Sequence, residues 1–119
     1  MQNQKSALGL DANITALISY PIGIVALILV FIEKDNKFVR FHAFQSLLFW
    51  AAVTILCITL TIFSTILFFI SATLSALFSL VFLLIGLGIM AAVVFLAYKA
   101  FQNDKFKLPV IGDMADKWA

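Results

Sequence analysis

AFQSLLFWAAVTILCITLTIFSTILFFISATLSALFSLVFLLIGLGIMAAVVFLAY, residues 43–98, contains no Asp, Glu, Lys, Arg or His in 56 consecutive positions. As a single helix it would be ~84 Å long, against ~30 Å for the hydrocarbon core of a bilayer. The run must therefore turn back at least once. The turn is expected at Ser71–Ser75 (SATLS), where small and hydroxyl residues cluster and the large ones thin out. That places one helix at about 43–69 and another at about 76–98.

Working outward, Met1–Leu10 is a polar, mobile lead-in, and Asp11 is an expected N-cap. From Asn13 to Ile32 no residue is charged, and about twenty residues at ~1.5 Å each again match a bilayer core. Residues 13–32 are thus expected to form the first span, kinked at Pro21, with Gly23 and Ala26 open to close helix approach. Glu33–His42 (EKDNKFVRFH) is a polar connection, and residues 99–119 form a charged, aromatic C-terminal segment. The expected fold is all-α: one transmembrane domain over residues 1–119, a three-helix bundle with an interfacial loop and tail.

Composition supports the membrane assignment. Hydrophobic residues make up 64% of the 119, charged residues 12%, and mean hydropathy is +1.12. Soluble domains carry about a quarter charged residues and roughly 45–50% apolar ones, so this chain could not cover a soluble globule. A net charge of +2 is too small to argue for nucleic acid but suits anionic headgroups. In a three-span arrangement Lys34, Lys37, Arg40, Lys99, Lys105, Lys107 and Lys117 share one side, and only Lys5 faces the other. The positive-inside rule then puts the loop and tail in the cytoplasm and the N-terminus outside.

Catalytic chemistry has little to draw on. One histidine, one cysteine (Cys57, in an apolar run), no phosphate-binding glycine loop and no metal-ligand spacing are present. No cofactor is expected. All six carboxylates fall outside the expected spans, whereas a pump displays ionisable groups inside the membrane.

Two segments stand out. In Phe38–Ser46 (FVRFHAFQS), Phe38, Phe41, Gln45 and Phe49 recur at helical spacing, flanked by Arg40 and His42. This is either an interfacial anchor or a polar cluster of Arg40, His42 and Gln45 that binds a headgroup, a peptide or another subunit. In Tyr98–Trp118, Pro109 breaks the chain, and Gly112 with Asp113 offers a turn or a cap for a short final helix. That tail is either an interfacial foot or a segment that folds back on the loop, with Asp113 or Asp116 pairing with Arg40 and Asp113 expected in a two-pronged salt bridge. Gly86, Gly88, Ala91 and Ala92 form a small-residue patch for helix packing, within the chain or in a homo-oligomer. The many Ser and Thr between Thr54 and Ser79 either bond back to their own helix carbonyls or line a polar path.

The strings KFVRFHAFQS and YKAFQNDKFKLPVIGDMADKWA resemble a family of small prokaryotic membrane proteins. That family is related in turn to the twenty-kilodalton Tic component of chloroplast protein import. The resemblance spans about Gly9 to Trp118, with characteristic positions Arg40, Phe41, His42, Gln45 and Ser46, then Lys107, Leu108, Pro109, Ile111, Gly112 and Asp113. It implies a membrane protein without assigned biochemical activity; the chloroplast relatives have four spans. The expected function is a non-enzymatic scaffold or assembly factor with a cytoplasmic-face site for a membrane-protein partner or lipid headgroup. The alternatives are a subunit of a homo-oligomeric channel or translocation path and, more remotely, a lipid-acting enzyme with His42 as acid/base.

Overall fold

The computed structural model describes residues 5–119; residues 1–4, the start of the polar lead-in, lie outside it. Among the described residues five helices follow one another: α1 (Ala12–Ser19), α2 (Gly23–Ile32), α3 (Lys37–Ile70), α4 (Ala72–Phe101) and α5 (Ile111–Trp118). Among the described residues only α3 and α4 are long and apolar enough to cross a membrane, so the expected count of three spans is corrected to two. The run from Asn13 to Ile32 is not one helix. It breaks at Tyr20–Ile22 into α1 and α2, of 8 and 10 residues.

Proline explains the break. Pro21 has no N–H and its ring crowds the preceding turn. Were the helix continuous, the oxygens of Ser19 and Tyr20 would accept from the amides four residues on. The break frees them, and α3 supplies replacements: Ser46 Oγ donates to Ser19 O at 2.6 Å and Trp50 Nε1 to Tyr20 O at 2.7 Å. Irregular backbone at membrane depth is tolerated only when protein satisfies it in this way.

The consequence is a hairpin that enters and leaves at one end. Near its start, Asn13 Nδ2 donates to Phe101 O at the end of α4 (3.0 Å), and Ala7 N donates to Glu33 Oε1 just beyond α2 (2.7 Å). Its tip meets Trp50, thirteen residues or ~20 Å along α3 from Lys37. Residues 5–11 therefore lie at the same end as the α2–α3 turn and the tail, rather than across from them. Lys5 joins the other cations there through its pair with Asp11 (3.1 Å). Asp11 does hold the N-cap position, but its carboxylate makes no capping hydrogen bond.

Small residues let the hairpin pack closely. Ala12, Ala16 and Ala26 are fully buried together with Ala43 of α3 and Ala100 of α4, around Tyr20, Leu29, Val39 and Leu96. Alanine permits close backbone approach between apolar helices that have no hydrophobic drive to associate in lipid. Asn36 caps α3, its Oδ1 accepting from Phe38 N and Val39 N at 3.1 and 3.3 Å.

Residues 51–92 form a second unit, an antiparallel helical hairpin. A single residue, Ser71, separates α3 from α4; its amide closes α3 on Leu67 O and its Oγ accepts from Leu74 N. Ser64 and Ser75 meet across the turn at 3.3 Å, and Phe63 packs edge-on against Phe78. The hydroxyls of Thr59, Thr61, Thr65 and Ser79 bond back to carbonyls of their own helices. Large apolar side chains, Phe69 and Leu84 among them, point outward as a lipid-facing surface requires.

Candidate functional site

The segment Phe38–Trp50 begins α3 with one inward face, because Phe38, His42, Gln45, Ser46 and Trp50 follow helical three- and four-residue steps. Each polar group on that face answers a gap in someone else's backbone. His42 is 1% exposed; its Nδ1 lies 2.5 Å from Tyr20 Oη and its Nε2 lies 3.1 Å from Asp104 O. A carbonyl can only accept, so Nε2 carries the proton and Nδ1 accepts from the tyrosine hydroxyl. That fixes the rest of the chain of bonds. Gln45 Nε2 donates to Tyr20 Oη (2.8 Å) and to Phe106 O (2.9 Å), while Gln45 Oε1 accepts from Leu108 N (2.9 Å). Every donor and acceptor of this buried set is used.

The same residues therefore clamp two irregular segments at once, the α1–α2 break and the extended tail 104–108. Aromatic rings close around the histidine: Tyr20, Phe38 and Phe41 all meet His42 edge-on with centroids at 5.5, 4.6 and 5.0 Å. Lys105 stands over the outer face of Phe41 at 4.8 Å.

Arg40 and Asp113 do not pair. The guanidinium reaches Glu33 O with Nη1 (2.5 Å), Ala119 O with Nε (3.2 Å) and Trp118 O with Nη2 (3.5 Å). Asp113 instead meets Lys107 at 3.8 Å, and Asp116 accepts from Lys105 and Lys107 at 2.8 and 3.1 Å. Those two ammonium groups, Lys105 first, hold the Asp116 carboxyl below the usual aspartate value. Arg40 also lies over Phe44 at 5.3 Å, and Phe44 meets Trp118 edge-on, so the end of α5 is held beside the start of α3.

The tail motif has its own steric logic. Pro109 precedes Val110, whose φ of 65° is rare for a β-branched residue, and the chain then doubles back so that Gly112 N reaches Leu108 O at 2.8 Å. A Cβ on Gly112 would stand 2.6 Å from Lys107 Cα, closer than real contacts allow. Gly112 is thus required by close approach of backbone, and Ile111 and Asp113 flank it in the first turn of α5.

The other candidates lie elsewhere. Gly86, Gly88 and Ala91 are exposed and Ala92 half-buried, and a Cβ at Gly86 or Gly88 would meet nothing within 4 Å. The close packing in this chain uses the alanines of α1, α2, α3 and α4 instead. Among the described residues no group of three or more His, Cys, Asp or Glu could hold a metal ion. Tyr20, Ser19 and Trp50 escape notice in the sequence, although a tyrosine hydroxyl inside an apolar run needs a partner and so carries a signal.

Comparison with known proteins places the chain among small membrane proteins. The model of the magnetosome magnetite crystal formation protein family, MamF/MmsF, matches residues 3–115. The chain belongs to that family. A UPF0132 membrane protein of Methanocaldococcus jannaschii is 39% identical over 116 residues, covering 97% of this chain and 94% of its own. One from Archaeoglobus fulgidus is 33% identical over 108 residues, covering 88% and 92%. A second from M. jannaschii is 27% identical over 113 residues, covering 94% and 73%. No solved structure matches. These matches support the small-membrane-protein part of the resemblance read from sequence and bring nothing to its chloroplast-import part.

Proposed function

We propose that the protein is a non-enzymatic membrane scaffold whose charged end is a preformed docking face for a membrane-protein partner. The observation that carries this reading is the burial of His42 and Gln45. Both spend their hydrogen-bonding groups on holding the tail in one shape, at Asp104, Phe106 and Leu108. What the clamp leaves outward is a compact surface: Val110 at 72% exposure, Trp118 at 48%, and the Lys105–Lys107–Asp116 cluster. Aromatic and apolar side chains ringed by charge, on rigid backbone, are the composition of a protein interface. A catalytic histidine would have to reach a substrate, and this one is enclosed by three rings and two hydrogen bonds.

Orientation belongs to the same proposal. With the first hairpin returning to its own end, all eight Lys and Arg gather at one end of the unit formed by residues 1–50 and 93–119. The positive-inside rule then sets that end, with Lys5 and the C-terminal tail, in the cytoplasm of a prokaryotic cell. The family description, magnetosome magnetite crystal formation, is in keeping with a structural role at a membrane surface.

The test is photo-crosslinking from position 114, on the exposed side of α5, in native membranes. A discrete crosslinked protein band is expected, lost when Gln45→Leu frees the tail. No band, or the same band intensity in the Gln45→Leu variant, would rule out a clamped docking face.

A further inference from the structure

We infer that the groove between the end of α2 and the start of α3 binds the phosphodiester headgroup of an anionic lipid. The inference goes beyond the scaffold proposal and does not depend on it. The groove, about 500 Å³, is lined by Val30, Phe31, Lys34, Lys37, Arg40 and Ala119.

Two of its three cations, Lys34 and Lys37, have no carboxylate partner among the described residues. Both are exposed, and neither lies within 4 Å of an acidic side chain among those residues. The contrast with the tail is direct, since Lys99, Lys105 and Lys107 are all paired. Arg40 is held in place by three backbone oxygens, those of Glu33, Trp118 and Ala119, so its guanidinium is positioned at the groove. Three of its five N–H donors are taken; two remain for a ligand. Glu33, the nearest carboxylate in sequence, is buried and turned to the amides of Ala7 and Asn36. Asp35 shares the turn but lines no part of the groove.

These cations also stand where the helix field opposes them. Lys37 and Arg40 occupy the first turn of a 34-residue helix with no acidic residue there. The positive end of a helix favours anions and disfavours lysine and arginine. An anion in the groove would offset that repulsion at the side chains, while Asn36 keeps the first-turn amides of Phe38 and Val39. A phosphate oxygen pair suits the fixed guanidinium, with the lysines as flexible point charges.

The apolar wall selects lipid over free phosphate. Phe31 is 70% exposed and Val30 half-buried, both in the last turn of α2, whose outer side is apolar back to Ile24. A headgroup on Lys34, Lys37 and Arg40 would let its acyl chains run along that side.

The test uses the full chain in dodecyl maltoside micelles, with bound lipid read by native mass spectrometry. Dioctanoyl-phosphatidylglycerol, dioctanoyl-phosphatidylcholine and inorganic phosphate are each titrated. The wild type should retain the phosphatidylglycerol at least about tenfold more tightly than the phosphatidylcholine, and should show no phosphate adduct at matched concentration. Lys34→Gln/Lys37→Gln, at exposed positions whose loss leaves the fold intact, should weaken retention about tenfold to thirtyfold. Lys105→Gln/Lys107→Gln removes the same charge at the tail and should bind as the wild type does. Equal retention of both lipids, an unchanged Lys34/Lys37 variant, an equal loss in the Lys105/Lys107 variant, or phosphate bound as well as lipid would each overturn the assignment.

Discussion

Replacing Gln45 with leucine should release the tail without unfolding the helices. The side chain is fully buried and makes three hydrogen bonds, to Tyr20 Oη, Phe106 O and Leu108 N. Leucine is of similar size, so the core keeps its volume, and Tyr20 keeps His42 as partner. Phe106 O and Leu108 N, by contrast, lose the partner that Gln45 gives them. Leaving a buried backbone group unsatisfied costs about 1–3 kcal/mol. Both groups are only partly buried, so the lower part of that range applies to each, about 2–3 kcal/mol together. That cost is relieved when the tail lifts into water, so it appears as a rise in the open population, about thirtyfold or more. Limited trypsinolysis in detergent reads this directly, because Lys105 and Lys107 lie within the clamped segment. When opening is fast relative to cleavage, the rate follows the open fraction. Gln102→Leu, which removes only an exposed bond to Tyr98 Oη, is the control and should cut at the wild-type rate. A Gln45→Leu rate within about threefold of wild type would show that the tail is held by other contacts, and the clamp would lose its standing.

Gly112→Ala should lower the thermal midpoint, since its Cβ meets the backbone of Lys107 and overpacking of this kind costs about 1–3 kcal/mol; an unchanged midpoint would mean that the 107–112 turn relaxes freely. Gly88→Leu should leave monomer stability equal or slightly higher, because nothing lies within 4 Å and glycine is a poor helix former by about 1 kcal/mol; a clear loss would reveal a helix packed there by another copy. Reporter fusions at residues 5 and 119 should both report the cytoplasm, and opposite sides would restore a third span. Lys105→Ala should raise the Asp116 pKa toward the ordinary aspartate value, read by carboxyl NMR shifts. In the wild type, whose folded value is depressed, the Lys–Asp116 contacts are present above about pH 4 and lost as pH falls through the folded value.

Membrane character and the hairpin were legible because they follow from local sums. A charge-free run of 56 residues exceeds one bilayer crossing by nearly threefold, whatever its partners. The break between the long helices also falls inside the stretch that composition marks, at Ser71. The two motifs stood out as well, since Arg40, His42 and Gln45 are polar beside an apolar run. Their direction did not. A histidine or glutamine at a membrane boundary reads the same whether it faces headgroups or a buried carbonyl, and only the tail folded across α3 supplies Asp104, Phe106 and Leu108. The Arg40–Asp113 pairing failed for a related reason: the turn that Gly112 permits brings α5 back with Asp113 toward Lys107, and main-chain oxygens reach the guanidinium first.

Pro21 marks the sharpest division between what sequence and structure decide. Hydropathy is identical for a kinked span and for two half-depth helices, because both keep residues 13–32 in lipid. Which one forms depends on whether the carbonyls freed at Ser19 and Tyr20 find donors, and those donors, Ser46 and Trp50, lie 27 and 30 residues away on α3. The sequence determined that a break at Pro21 would be costly in a membrane. Only the packing of α3 against it supplies the hydrogen bonds that make the break, and with it the return of the chain to its starting side, the stable arrangement.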